Sequence, residues 1–249
     1  MQLFSSALVL LLLAPCAALA QGDSRIGFLG KQLQKSKDPR SRSQAALVLG
    51  ATEDPEALPL LCAGLKDESE LVRAAAAKGM AKLLELDALD CLQAHKGEAD
   101  ASVQAAVSEA VEALKEYKAR PPRFYVQLEA VKDRTGKLSA ELVKATEARL
   151  RSRLMRNGAQ LAPAKETKAA AKGTLKKLRV RGYRITPELH ETEGGGLRVA
   201  LVCLTYPELS LMGQVEVNAA GAQPGDLIKA LVPRAVEEAA ETFEWSSET

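Results

Sequence analysis

The chain has 249 residues, enough for two modest domains. Lys and Arg number 34 against 32 Asp and Glu, a net charge of +2, and aromatics make up only 4%. That balance excludes a global electrostatic pull toward nucleic acid and leaves few rings for stacking on bases.

The first twenty residues, MQLFSSALVLLLLAPCAALA, hold no charge and end in Ala18-Leu19-Ala20. An apolar run too short to span a bilayer, followed by small residues at −3 and −1, predicts a secretory signal peptide over 1–20. Cleavage would leave Gln21 as the mature terminus. Pro15 before Cys16 disfavours lipid attachment, and no later stretch is apolar for long enough to be a transmembrane segment. Cys62, Cys91 and Cys203 then remain, an odd and widely spaced set that gives no disulfide framework and no CxxC metal pair.

From residue 25 the chain repeats itself. Ser41-Arg42-Ser43-Gln44-Ala45-Ala46 aligns with Val72-Arg73-Ala74-Ala75-Ala76-Ala77 and with Val103-Gln104-Ala105-Ala106-Val107-Ser108, each 31 residues on. Apolar residues then follow at i, i+4, i+7, i+8 and i+11, one face of a helix. A second helix recurs at the same offset, Glu56 to Leu61 matching Asp87 to Leu92, and Asp38-Pro39 and Asp54-Pro55 mark helix entries. Half a unit, Arg25 to Lys35, caps the front. Fixed-period helix pairs bury their faces only by stacking, so the pattern predicts a solenoid. Its small residues let backbones approach, and Ala45, Ala76 and Val107 are the expected repeat-packing positions.

These residues resemble short HEAT-like repeats of the bacterial form, over about 25–117. The resemblance implies an all-α fold that binds a protein partner, without naming the partner. The second unit has Ser69-Glu70 in place of Asp-Pro, and the third has Gln104 in place of the arginine and no second helix. In this register Cys91 is equivalent to Leu60, two positions from Cys62. Two residues turn a helix by about 200°, so the two thiols are expected to face different ways.

Arg120-Pro121-Pro122 ends the helical pattern, which sets the solenoid at 25–118 and a second domain at 123–247. Phe124 to Ala130 reads as a strand, Asp133-Arg134-Thr135-Gly136 as a turn, and Leu138 to Arg156 as a helix closed by Asn157-Gly158. Leu178 to Leu189 and Leu197 to Tyr206 read as strands around the Glu193-Gly194-Gly195-Gly196 hairpin turn. A strand over Leu211 to Val217 and a helix from Asp226 to Trp245, with Pro233 inside it, close the chain. The order β-α-(β)-β-β-β-α predicts a small α+β domain, a sheet with two helices on one face. The strand-then-Asp133-x-Thr135-Gly136 opening, the helix ending at Asn157-Gly158 and the hairpin before a last helix resemble periplasmic domains of the TolB amino-terminal and curli-secretion-lipoprotein kind. That resemblance implies a role in envelope assembly.

Chemical motifs are scarce. His95 and His190 lie far apart, without HExxH spacing, and no GxSxG, P-loop or GxGxxG opens a helix. Gly194-Gly195-Gly196 reads as a turn rather than a phosphate cradle. Glu188, Glu191 and Glu193 around His190 read as solvated charge. The richest segment is the basic strand expected at 176–184, where Lys177, Arg179 and Arg181 would alternate with Leu178 and Val180 to give one cationic face. Taken together, these features predict no enzyme, no cofactor and no nucleic acid, but a secreted, periplasmic scaffold or adaptor that binds an envelope protein through its repeats. The alternatives are a binder of anionic envelope glycan or lipid through the basic strand, and an enzyme housed in the second domain.

Overall fold

A computed structural model describes residues 25–245. The signal peptide, its cleavage site, Cys16 and residues 246–249 lie outside the described residues.

The first half is helical. Helix α1 (Arg25–Lys35) is the half unit. It is followed by α2 (Pro39–Gly50), by a 3₁₀ turn (Pro55–Ala57) running into α3 (Leu58–Gly64), and by α4 (Glu70–Leu83), α5 (Ala88–Ala94) and α6 (Ala101–Ala119). Entry residues cap the helices as their chemistry dictates. Asp38 accepts from Arg40 N at 3.0 Å, Asp54 from Glu56 N at 3.0 Å, and Asp100 from Ser102 N at 2.9 Å. The first helices of successive units, α2, α4 and α6, pack side by side, with α3 and α5 behind them.

Small residues carry this packing. Ala45 and Ala76 are fully buried, while Val107 is half-buried, because α6 closes the row and has a neighbouring first helix on one side only. A side chain on Gly50 would collide with the backbone of Gly79, and a Cβ on Gly79 would lie 2.8 Å from Ala46 O and 3.0 Å from Leu61 Cδ2. Neither glycine has a positive φ. Close approach of two helices, not backbone freedom, is what requires them.

The second half is a six-stranded mixed sheet with three helices. Its elements are β1 (Phe124–Leu128), β2 (Lys132–Asp133), α7 (Ala140–Arg156), β3 (Ala159–Leu161), α8 (Lys168–Leu178), β4 (Gly182–Glu191), β5 (Leu197–Thr205), β6 (Leu211–Ala219) and α9 (Pro224–Thr242). The strand order is β3-β1-β4-β5-β6. The first three strands are parallel, the last three form an antiparallel meander, and β2 pairs with β4 beyond the end of β1. Pro187 sits in β4, a central strand. It falls in the gap between the β1 and β2 pairings, where no ladder bond needs its missing N–H.

Two expectations require correction. The chain has a third helix, α8, and the helices cover both faces of the sheet. Helices α7 and α9 bury Leu150, Leu154, Ile228, Leu231 and Val232 against Phe124, Val126 and Ile185. On the other face Ala171, Leu175 and Leu178 of α8 pack with Tyr125 and Tyr206. Alternation along β1 explains the split, since neighbouring side chains point to opposite faces. Glu166 locks that second face by accepting from Tyr125 Oη at 2.9 Å and from Tyr206 Oη at 3.0 Å. Burial comes first in raising both phenols, that of Tyr206 to about 12.

The second correction concerns the cysteines. Cys62 and Cys91 form a disulfide between α3 and α5, with Cα atoms 5.7 Å apart. The rotation of about 200° between the two positions is what brings them together. Stacked equivalent helices meet front to back, so residues on opposite sides of their own helices face each other.

Candidate functional site

One edge of the array is fastened by a repeating clamp. Arg42 Nε and Nη2 donate to Asp67 Oδ2 and Oδ1, both at 2.8 Å. One unit later Arg73 Nε and Nη2 donate to Glu98 Oε2 and Oε1 at 2.8 and 2.9 Å. Each arginine also caps the turn before its own helix, Arg42 through Ser36 O and Arg73 through Asp67 O, both at 2.9 Å. Gln104, the third copy, keeps only that last bond, to Glu98 O. The Arg73 guanidinium holds the Glu98 carboxyl down at about 2, with further help from Asp100 N and His95. Asp67 is also lowered: burial pushes it up, and the Arg42 bonds outweigh that. His95 is therefore a structural partner of Glu98, at 3.0 Å.

The opposite edge is occupied by the sheet half. Arg149 of α7 lies 3.1 Å from Asp54 and 2.7 Å from Glu56. Ser152 donates to Glu85, and Arg156 donates to Leu83 O at the end of α4. Arg153 bridges Glu53 and Glu237, and Lys229 of α9 reaches Glu56 at 3.5 Å. These contacts cover the turns that follow α2 and α4. A cavity of about 380 Å³ beside them is lined by Arg25, Glu53, Asp54, Arg149, Asp226 and Lys229, among others.

The outer side of the first helices is left open to solvent. Leu47 of α2 is 41% exposed and Leu71 of α4 is 47% exposed, and Phe28 of α1 is 61% exposed. Leu71 and Lys78 lie two turns apart on one side of α4, and Leu47 occupies the same repeat position as Lys78. Leu47 and Leu71 therefore belong to one surface, with exposed Arg40, Gln44 and Lys82 among them.

The expected basic strand does not exist. Lys177 lies in the last turn of α8, Arg179 closes that helix in the left-handed conformation with φ 57°, and β4 begins only at Gly182. Ala169, Ala170 and Ala171 favour helix, Thr167 caps it by accepting from Ala170 N, and propagation carries it to Leu178. The strand waits for Gly182, where a Cβ would meet Tyr206 O and Leu175. Lys177, Arg179 and Arg181 therefore form no common strand face, and Arg181 has a partner of its own.

Two of the hairpin-tip acids, Glu188 and Glu191, are paired with cations. Glu188 takes Arg134 at 3.0 Å, Lys132 at 3.5 Å and His190 at 3.2 Å, and Glu191 takes Lys137. Gly194 to Gly196 form the turn between β4 and β5, closed by Thr192 N donating to Gly196 O. Among the described residues no group of three or more His, Cys, Asp or Glu is arranged to hold a metal ion. Among them also, no helix is long and apolar enough to cross a membrane.

Residues 26–115 match the family described as HEAT repeats. No curated protein matches the chain. The helical half is thus HEAT-like, and the match stops short of the sheet half. HEAT repeats point to an interaction scaffold that works on protein partners.

Proposed function

We propose that the chain is an exported, non-catalytic scaffold that captures a protein partner on the outer face of its first helices. In this reading residues 25–118 are a short solenoid, and residues 123–247 form a second domain that braces it from one edge. The observation that carries the proposal is the pair Leu47 and Leu71, apolar side chains left in solvent on neighbouring helices of one face. Leucines held on one face of a rigid stack, two helical turns apart along it, form a preorganised contact surface, and ordering costs at binding are correspondingly small.

Export is part of the proposal. The Cys62–Cys91 bond supports it, since disulfides persist in oxidising compartments, and it agrees with the leader read at 1–20. The turn at Asp133 to Gly136 and the helix end at Asn157-Gly158 keep the likeness to periplasmic envelope-assembly domains within the same proposal.

The test is site-specific photo-crosslinking in the native cell. A crosslinker at Leu47 or Leu71 should yield one discrete protein adduct, and a crosslinker at exposed Lys172 on α8 should not. Equal labelling from all three positions would overturn the outer-face assignment. Intact mass of the exported chain tests the location. A chain starting at Gln21 agrees with it, a chain still carrying residues 1–20 would sink it, and a lipid adduct on Cys16 would overturn the Gln21 terminus alone.

A further inference from the structure

A second surface carries a ligand-binding inference of its own. Where the last repeat helix passes into the sheet, a cleft of about 380 Å³ opens between the ends of α6 and α7 and strand β3. Four cations line it, Lys118, Arg120, Arg123 and Arg156, and no Asp or Glu does. In a chain whose acids and bases nearly balance, a cleft with that lining is not an average sample of the surface. Lys118, Arg120 and Arg123 are exposed and enter no ion pair with any described residue. Arg156 is shared with Glu85 at 3.9 Å, and Glu241 and Glu244 stand in the adjoining hollow that Arg123 also lines. The Arg120 guanidinium lies over the Tyr117 ring, 5.5 Å from its centre. The Tyr117 hydroxyl is buried without a hydrogen-bond partner in the described structure, so it is a polar group still to be satisfied.

The floor is apolar, with Leu86, Met155, Pro122 and Leu161. One wall is β3, the outermost strand on its side of the sheet. Gly158 O and Ala162 N bond inward to β1, so by the twofold alternation of a strand the amide groups of Ala159 and Leu161 point to the open side. An uncovered strand edge pairs readily with an extended chain.

We propose that this cleft binds an acidic peptide segment of another protein, extended alongside β3. The peptide backbone pairs with Ala159 and Leu161, its carboxylates reach Lys118 and Arg120, and its apolar side chains sit on Leu86 and Met155. The site is separate from the outer face of the repeats and stands or falls independently of it.

Fluorescence anisotropy of the chain from Gln21 with a short labelled peptide that alternates glutamate and valine tests the proposal. The expected result is saturable binding that weakens with salt. It should weaken about tenfold or more in the Lys118→Ser/Arg120→Ser double variant. Both residues are exposed, so an unchanged melting temperature accompanies the loss. A glutamine–valine peptide and a backbone N-methylated glutamate–valine peptide should each bind about tenfold more weakly, the first for want of charge and the second for want of strand pairing. Three outcomes would each overturn the proposal: no binding of the parent peptide at low salt, equal binding of its N-methylated form, or competition by inorganic phosphate as effective as by unlabelled peptide.

Discussion

Asp54 and Glu85 occupy the same position of successive 31-residue units, and one helix from outside the repeats meets both. Arg149 of α7 takes Asp54, and Ser152 and Arg156 take Glu85. Arg149 and Arg156 are seven residues apart, about 10.5 Å along a helix. Packed helices stand about 8–10 Å apart. The spacing along α7 thus matches the spacing between units, and a helix laid across the array meets equivalent turns two of its own turns apart.

The first prediction tests that match. The Arg149 and Asp54 side chains are only 6% and 12% exposed. Removing one partner of a buried pair leaves a charge without compensation, at about 3 kcal/mol. Arg149→Ala should lower stability by about that much. In combination with Asp54→Ala the loss should be smaller than the sum of the two single losses. Urea unfolding of the four proteins measures the coupling, and additive losses would show that the pair does not hold the halves together.

Glu85 gives a pH dependence of opposite sign to the usual carboxylate. Burial raises it above its ordinary value, against the Ser152 hydrogen bond and Arg156. On raising the pH, the unfolded chain loses this proton before the folded chain does. Stability from this group therefore falls between about pH 4.5 and its raised value. Glu85→Gln, which keeps an acceptor for Ser152, should be at least as stable as the parent at pH 7, and that difference should vanish below about pH 4. Denaturant melts at the two pH values check it. A Gln variant less stable at pH 7 by as much as at pH 4 would refute it.

The Arg73–Glu98 clamp behaves in the ordinary direction. Glu98 is held at about 2, below its unfolded value, so its contribution is present above about pH 4.5 and is lost as pH falls toward 2. Glu98→Gln should flatten the acid limb of the stability curve over that window. An acid limb as steep as that of the parent would assign acid unfolding to other carboxylates.

The small-residue stack predicts a reversal of helix propensity. Gly to Ala inside a helix ordinarily gains about 1 kcal/mol. Gly50→Ala should instead destabilise, because the new methyl meets Gly79. Ala76→Glu should cost several kcal/mol, since the site is closed to water on all sides. Lys78→Glu, two residues on and exposed, should stay within about 0.5 kcal/mol. Thermal melts of the three variants read these effects. A stabilised Gly50→Ala would mean that α2 and α4 do not meet there.

The disulfide gives a count. Denatured without reductant, the chain from Gln21 should take up one alkyl group, at Cys203, and three after reduction. While folded it should take up none, because burial pushes the Cys203 thiol up to about 12. Reduction, or Cys62→Ser with Cys91→Ser, should lower stability by about 3–4 kcal/mol, the entropy of a loop of this length. Three alkyl groups without reductant would contradict the bond.

The repeat half was legible because its evidence is periodic. Arg42, Arg73 and Gln104, and Ala45, Ala76 and Val107, declare the register by recurring, and the entries at Asp38, Asp54 and Asp100 carry their own caps. The sheet half offers single copies. Ala169 to Leu178 fits helix by propensity, whereas Lys177 to Arg181 fits strand by alternation. The helix prevails because Ala171, Leu175 and Leu178 find Tyr125 and Tyr206 to pack against, partners far away in the chain.

Local pattern alone determined the array, its small-residue contacts and the turns at Asp133 and Gly194. These depend on spacings along one segment, and a segment carries its own spacing. Tertiary structure alone decided which faces meet. The meeting of Cys62 with Cys91 depends on how helices stack, and the grip of α7 on Asp54 and Glu85 on the match between a helical rise and an interhelical distance. The basic cleft by β3 joins residues from α6, α7 and the sheet edge, and no single stretch of sequence contains that neighbourhood.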